Sequence, residues 1–386
     1  MDDHLNFKLP PKYTELVETT IELLRDAAPV LEGADEHSYF PEDLLKVFRD
    51  SKLAELMVVE QHGGRFPEID PLAVCVIRET LMQHAATGHM DALFSLQGIG
   101  SYAISLAGTD EQKERWLPGI ASAEILPAMA LTEPDAGSDL KRITTTAEEE
   151  NGELVLNGKK SFISNVGVCG YYIVLAKELG GYSLVLVPAD TSGITTASGP
   201  ELLIGHVIGE IDFDNVRVPA ENRLGAPGKA FHLVLDTLTV FRSSVAGAAV
   251  GLAQAALEDA LQHAAQREQF GRKLYKIGPV AQLLADSGTE VEAARLLAYK
   301  ASTKVANGDP DALAYSSMAK VYATEMANRV VARCMQSMGR FSLTKGARIE
   351  RLYRLVRPMT IYEGASEVLR LGITDYLINS LEQQDK

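Results

Sequence analysis

Apolar residues recur at helical spacing through the first third of the chain. Leu16, Val17, Thr20, Ile21 and Leu24 fall on one face, as do Leu44, Leu45 and Phe48. After breaks at Gly63-Gly64 and Pro67 the series resumes through Leu72, Val76 and Leu81, then Leu93, Leu96 and Ile104. The spacing predicts an all-α domain over residues 1–125, with Trp116 following a turn rich in acidic and basic side chains. Past Pro127 the texture changes. Leu154-Val155-Leu156 runs into Asn157-Gly158, and residues 171–175, 182–187 and 211–218 alternate or run apolar between Gly, Asn, Asp and Pro turns, which predicts a small β-barrel or sandwich domain over 126–225. Helical spacing returns over 226–386, where 230–266 hold almost no breaker except glycine and 281–306 and 312–338 carry long apolar stripes. That predicts a C-terminal four-helix bundle. The expected fold class is multidomain α+β, and with no internal repeat or low-complexity linker the three parts should pack closely.

Composition narrows the function classes. A chain of 386 residues with 46% hydrophobic content can bury two or three sizeable cores. No apolar run reaches the roughly 18 to 20 residues that span a bilayer, and Met1-Asp2-Asp3-His4 is not the basic start of a targeting segment, so a cytoplasmic location without a membrane span is the expectation. Cys75, Cys169 and Cys334 are odd in number and far apart, which argues against a disulfide framework. A net charge of −15 would repel nucleic acid and anionic membrane. The eight histidines lack HExxH or paired-carboxylate spacing, so no metal site is expected. Gly98-Ile99-Gly100 lies inside the helical domain and follows no predicted strand, so these glycines read as packing or turn residues rather than a nicotinamide-dinucleotide loop.

Three segments carry chemistry. Ile361-Tyr362-Glu363-Gly364-Ala365-Ser366-Glu367 places a carboxylate on a turn between an apolar, strand-like run and a new helix. Shielding by Ile361, Tyr362 and Val368 would raise the Glu363 pKa toward the working pH of a general base. Leu131-Thr132-Glu133-Pro134-Asp135-Ala136-Gly137-Ser138-Asp139 offers hydroxyls and free turn N–H groups suited to a pyrimidine edge or a pyrophosphate. Between them lies Arg267-Glu268-Gln269-Phe270-Gly271. In this order and at these distances the three resemble the acyl-CoA dehydrogenase flavoprotein family, over a stretch from about Leu45 to Ile373.

The resemblance implies an FAD enzyme of fatty acid metabolism that desaturates an acyl thioester, Glu363 removing the α-proton. The Glu363 backbone N–H and a ribityl hydroxyl would hold the thioester carbonyl as an oxyanion hole does. Some relatives carry their base on the long helix just before an Arg; here that position is Phe241, which leaves Arg242 as a helper near the substrate or the Glu363 loop. Met129, Leu131 and Thr132 would line the flavin ring, and Phe162-Ile163-Ser164-Asn165 would form a second wall through Phe162 and Ser164, where the family has Trp-Ile-Thr-Asn. Ser138 would face phosphate or pantetheine, with Tyr362 and Gly364 also on the substrate side. Arg267 and Phe270, and Gln336 with Gly339, match positions that reach the FAD of a neighbouring subunit, which implies a homotetramer or homodimer. Partners would be an acyl-CoA or acyl-carrier-protein thioester and an electron-transfer flavoprotein.

The sequence also departs from the family. Gly339-Arg340-Phe341-Ser342 lacks two of its usual glycines, Gly278 replaces a Gln, Ala365 replaces a Thr, and Leu203-Ile204-Gly205-His206-Val207-Ile208-Gly209-Glu210 lacks an Arg and a Ser/Thr pair. The small residues Ser243, Ser244, Ala246, Gly247, Ala248 and Ala249 suit close helix packing or room for an acyl tail. Rival expectations are the same reaction on a carrier-bound acyl chain, a flavin monooxygenase that needs no base, and a non-catalytic scaffold.

Overall fold

The computed structural model describes residues 8–384. The N-terminal part is helical: α1 (Pro11–Asp26), α2 (Ala28–Leu31), α3 (Glu42–Ser51), α4 (Pro71–His84), α5 (Gly88–Ile99), α6 (Tyr102–Ala107) and α7 (Asp110–Ala121). Asp70 caps α4 by accepting from Leu72 and Ala73 N–H, Thr87 caps α5, and Thr109 with Gln112 forms a capping box on α7. The charged stretch before Trp116 is therefore helix, not turn. Asp110 and Glu111 lie in the first turn of α7, at the positive end of the helix dipole.

The middle part is an antiparallel-rich sheet of β1 (Pro127–Ala130), β2 (Thr146–Glu150), β3 (Glu153–Ser164), β4 (Tyr171–Glu178), β5 (Gly181–Pro188), β6 (Ile194–Ser198), β7 (Ile208–Pro219) and β8 (Arg223–Leu224). Its order is β6-β7-β3-β2-β4-β5-β8, with β1 parallel to β4. Both faces of β4 are buried. Tyr171, Ile173 and Leu175 join the N-terminal core, whereas Tyr172, Val174 and Ala176 join the sheet's own core.

The last part holds α8 (Phe231–Gln266), a short hairpin of β9 (Glu268–Gln269) and β10 (Arg272–Lys273), then α9 (Gly278–Ala306), α10 (Ala312–Met338), α11 (Arg348–Val356) and α12 (Ser366–Gln384). Helix α8 is long and apolar enough to cross a membrane by length and composition, but 78% of its most apolar window is buried inside the protein. It is the shared axis of two cores: Val240 and Phe241 pack in the N-terminal core, and Val245 onward in the C-terminal one. A Cβ added at Gly247 would come within 2.4 Å of the Cys75 carbonyl oxygen, and one at Gly251 within 2.2 Å of that of Glu79. Close approach of α4 thus accounts for helix glycines that each cost about 1 kcal/mol relative to alanine. Gly98 likewise makes room for the Phe241 ring, and Gly100 for Pro127.

Candidate functional site

Glu363 lies in the connection between α11 and α12. The run before it is helical, α11 followed by a 3₁₀ turn at Pro358–Thr360, and not the strand-like segment its apolar residues suggest. Glu363 and Gly364 both have positive φ, 53° and 108°, which turns two successive carbonyls toward the bundle. Buried cations meet both. Arg242 Nε, on α8, donates to the Glu363 carbonyl at 2.7 Å, and Lys320 Nζ, on α10, donates to the Gly364 carbonyl at 2.7 Å. A cation on a main-chain oxygen makes a stronger hydrogen bond than a neutral donor. Arg242 is thereby placed on the Glu363 loop, one of the two positions expected for it.

The Glu363 side chain is only 12% exposed. Its Oε1 is 3.9 Å from Arg78 Nη1, and its Oε2 is buried without a hydrogen-bond partner. Burial pushes the carboxyl pKa up, opposed by the charges of Arg78, Lys320 and Arg242. The rise was expected; its surroundings were not. Ile361 and Val368 are 60% and 39% exposed, so the shell that shields the carboxylate is mostly polar and cationic. Tyr362 alone of the three expected shields is held inward, and burial raises its phenol pKa well above the ordinary value. Burial lowers Lys320 to about 8.

Sequence reasoning missed Arg78, Asp91 and Lys320. Arg78, on α4, is fully buried, and forks onto Asp91 of α5 at 2.6 and 2.9 Å while Nη1 donates to Ser244 Oγ at 3.0 Å. The available signal was a charge inside a helix that buries every residue from Ala73 to Met82.

The second group of expected site positions lies on the sheet. Ser161 N–H donates to the Thr132 carbonyl at 3.0 Å, so the segment after β1 lies along the end of β3. Lys160 Nζ donates to the Leu131 carbonyl at 3.0 Å and to Glu133 Oε1 at 2.9 Å, while Thr144 and Thr145 N–H complete the Glu133 carboxylate. Along this seam Met129, Leu131 and Thr132 are half-buried and Ser138 is exposed. Phe162 has φ 55° and is 57% exposed, an aromatic face held outward by a left-handed backbone. Ser164 Oγ is 2.8 Å from His206 Nε2, a contact the sequence did not suggest. The Asp91 charge is felt by both Glu363 and His206, the partner of Ser164, so one carboxylate lies near the Glu363 loop and near His206.

Arg267 and Phe270 lie elsewhere. About 37 Å of helical rise along α8 separates Arg242 from Arg267. Phe270 is 89% exposed at the tip of the β9–β10 hairpin, and the Arg267 guanidinium lies 5.8 Å over the Phe341 ring, beside the segment that carries Gln336 and Gly339. Arg267 thus lies beside the segment of Gln336 and Gly339, and Phe270 projects from the hairpin tip three residues further on. Among the described residues, no group of three His, Cys, Asp or Glu side chains is placed to hold a metal ion.

Comparison with known proteins finds three family models in chain order: acyl-CoA dehydrogenase N-terminal domain over residues 11–124, middle domain over 128–216 and C-terminal domain over 228–378. An acyl-CoA dehydrogenase of Bacillus subtilis is 36% identical over 359 residues, 91% of this chain and 93% of that protein. Subunit CarC of the caffeyl-CoA reductase-Etf complex of Acetobacterium woodii is 33% identical over 356 residues, 90% and 93% of the two chains. Among solved structures, butyryl-CoA dehydrogenase from Megasphaera elsdenii superposes with a TM-score of 0.91 at 29% identity, covering 97% of this chain and 100% of that one.

Proposed function

Because the chain belongs to the acyl-CoA dehydrogenase family, an oxidoreductase family of FAD flavoproteins, we propose that it converts an acyl-CoA to the trans-2-enoyl-CoA with Glu363 as the base. The observation that carries this reading is the Glu363 carboxylate itself. One of its oxygens is buried and unpartnered, and the loop beneath it is tied at two consecutive carbonyls. A buried oxygen left without a protein donor is able to accept a proton from carbon.

The residues of the sheet wall fit FAD. The outward Phe162 ring, with Met129 and Leu131, suits a flat ring system, and the Thr132 and Ser164 hydroxyls suit its polar edge. When bound, FAD supplies the hydride acceptor that no side chain offers. Glu363 takes the α-proton. The Glu363 N–H, fixed through its own loop, donates to the thioester oxygen, and Tyr362 and Gly364 shape that end of the pocket. Arg242 and Lys320 hold the loop, and Ser138 faces the pantetheine. Arg267, Phe270, Gln336 and Gly339, remote from Glu363 in their own protomer, serve the FAD of a neighbouring subunit in a homodimer or homotetramer. Electrons leave to an electron-transfer flavoprotein, a partner class supported by the Etf complex named for CarC. The setting this reading proposes is cytoplasmic fatty acid metabolism.

The test is anaerobic mixing of purified holoenzyme with a panel of acyl-CoAs and the matching carrier-protein thioesters while flavin absorbance is followed. Bleaching by a CoA ester, abolished in Glu363→Gln, is the expected result. Bleaching only by carrier-bound substrate would move the reaction to biosynthesis, and an undiminished rate in Glu363→Gln would remove Glu363 from the base role.

A further inference from the structure

We propose that Arg78 is a positioning residue for Glu363: a buried guanidinium, locked by Asp91 and Ser244, whose charge favours the ionised base while leaving its proton-accepting oxygen free. The inference rests on Glu363 being the base.

A guanidinium without exposure is costly unless paired and hydrogen-bonded. Asp91 would satisfy that need alone, since its carboxylate takes Nε and Nη2 at 2.6 and 2.9 Å. The third nitrogen is not spent on packing. Nη1 is fixed by Ser244 Oγ at 3.0 Å and faces Glu363 Oε1 at 3.9 Å. That gap exceeds a hydrogen bond, so Arg78 acts on Glu363 as a charge. A direct bidentate pair would fasten both carboxylate oxygens and oppose proton transfer. Three anchored nitrogens prevent the guanidinium from closing the distance, and Glu363 Oε2 stays without a partner.

The remaining groups facing Glu363 have other posts. Arg242 from α8 and Lys320 from α10 donate to loop carbonyls, Tyr362 is its chain neighbour, and Asp91 from α5 opposes ionisation. Of the cations that counter the burial of Glu363, Arg78 exerts the largest effect. Arg78 and Asp91 therefore act on the base with opposite signs.

The experiment uses the holoenzyme and two readouts. One is the pH dependence of anaerobic flavin reduction by whichever acyl-CoA bleaches the parent fastest. The other is infrared titration of the Glu363 carboxyl without substrate, identified by subtraction of Glu363→Gln. In Arg78→Met both midpoints should move up by about 1–3 pH units, with at least a tenfold slower rate below the midpoint and recovery at high pH. Asp91→Asn should move the carboxyl midpoint down, and Arg78→Lys should restore most of the Arg78→Met displacement. An unmoved midpoint in folded, flavin-bound Arg78→Met, or an upward shift in Asp91→Asn, overturns the proposal. Should Arg78→Met fail to fold, the sign of the Asp91→Asn shift decides. Flavin reduction that survives in Glu363→Gln would instead sink the base reading, and the infrared titration would still report whether Arg78 sets that carboxyl.

Discussion

Arg242 Nε donates to the Glu363 main-chain carbonyl at 2.7 Å, so a buried side chain in the middle of α8 grips the backbone of a residue 121 positions later. The contact fixes the loop without touching the carboxylate. Positive φ at Glu363 makes it possible, because that conformation turns the carbonyl inward. Loop geometry and the proposed base chemistry thus fall to different atoms of one residue, and they can be perturbed separately.

Gly364→Ala perturbs the loop without removing the carboxylate. At φ 108° an alanine is strained, and its Cβ would meet Leu369 Cδ2 at 2.9 Å and Arg242 Nη2 at 3.0 Å. A backbone strain of about 1–3 kcal/mol is expected. Thermal melting should fall by a few degrees and flavin content should stay near that of the parent, while the rate of anaerobic flavin bleaching drops more than tenfold. Bleaching at the parental rate would show that the loop does not need its carbonyls aimed.

Acid stability should be set in part by Glu133. Burial pushes its carboxyl up, but hydrogen bonds from Thr145 and Thr144 and the charge of Lys160 hold it down to about 2, against an ordinary 4.5. Between those values the unfolded chain binds a proton that the native one does not, so stability falls as pH falls through that window. Glu133→Gln should flatten this slope in urea titrations at graded pH. At neutral pH the variant leaves the buried Lys160 ammonium without its counter-charge, for a loss of about 3–5 kcal/mol. A parental slope in Glu133→Gln would assign the acid limb to other carboxylates.

Phe162 is turned to solvent rather than to the core. An outward aromatic with φ 55° contributes little packing, so Phe162→Ala should change apoprotein stability by no more than about 0.5 kcal/mol. The ratio of flavin absorbance to protein after gel filtration should fall severalfold. Full retention of flavin would mean that the ring does not stack on Phe162.

Helical and strand periods in the sequence marked the α-β-α order, because burial on one face leaves a trace in the order of residues. Strands β1, β2 and β6 left none. In β2, Thr146-Ala147-Glu148-Glu149-Glu150, only Ala147 is fully buried, and the strand exists because β3 and β4 offer it hydrogen bonds. Glu363, Arg242 and the Thr132 segment were legible as local motifs. Arg78, Asp91, Lys320 and His206 were not, since each acquires meaning only from a partner on another element. The same limit misassigned the Glu363 shield: Ile361 and Val368 adjoin it in sequence, while the groups that surround it come from α4, α8 and α10.

The β9–β10 hairpin offers a test of assembly in which local and global effects have opposite signs. Its two turn residues, Phe270 and Gly271, have φ 52° and 72°. Such a turn favours Asn-Gly, and an aromatic residue there is disfavoured by sterics as well as by its exposure to water. A protomer on its own gains nothing from Phe270, whereas a neighbouring subunit that covers it gains the burial of a large ring, worth about 1.5–3 kcal/mol per site. Phe270→Asn should therefore stabilise the hairpin locally yet lower the mass measured by light scattering at micromolar protein. Flavin content should fall in parallel, because Arg267, whose guanidinium lies over Phe341, adjoins the hairpin. If mass and flavin content both stayed at parental values, the Phe270 face would not be an interface, and the FAD site would be complete within one chain.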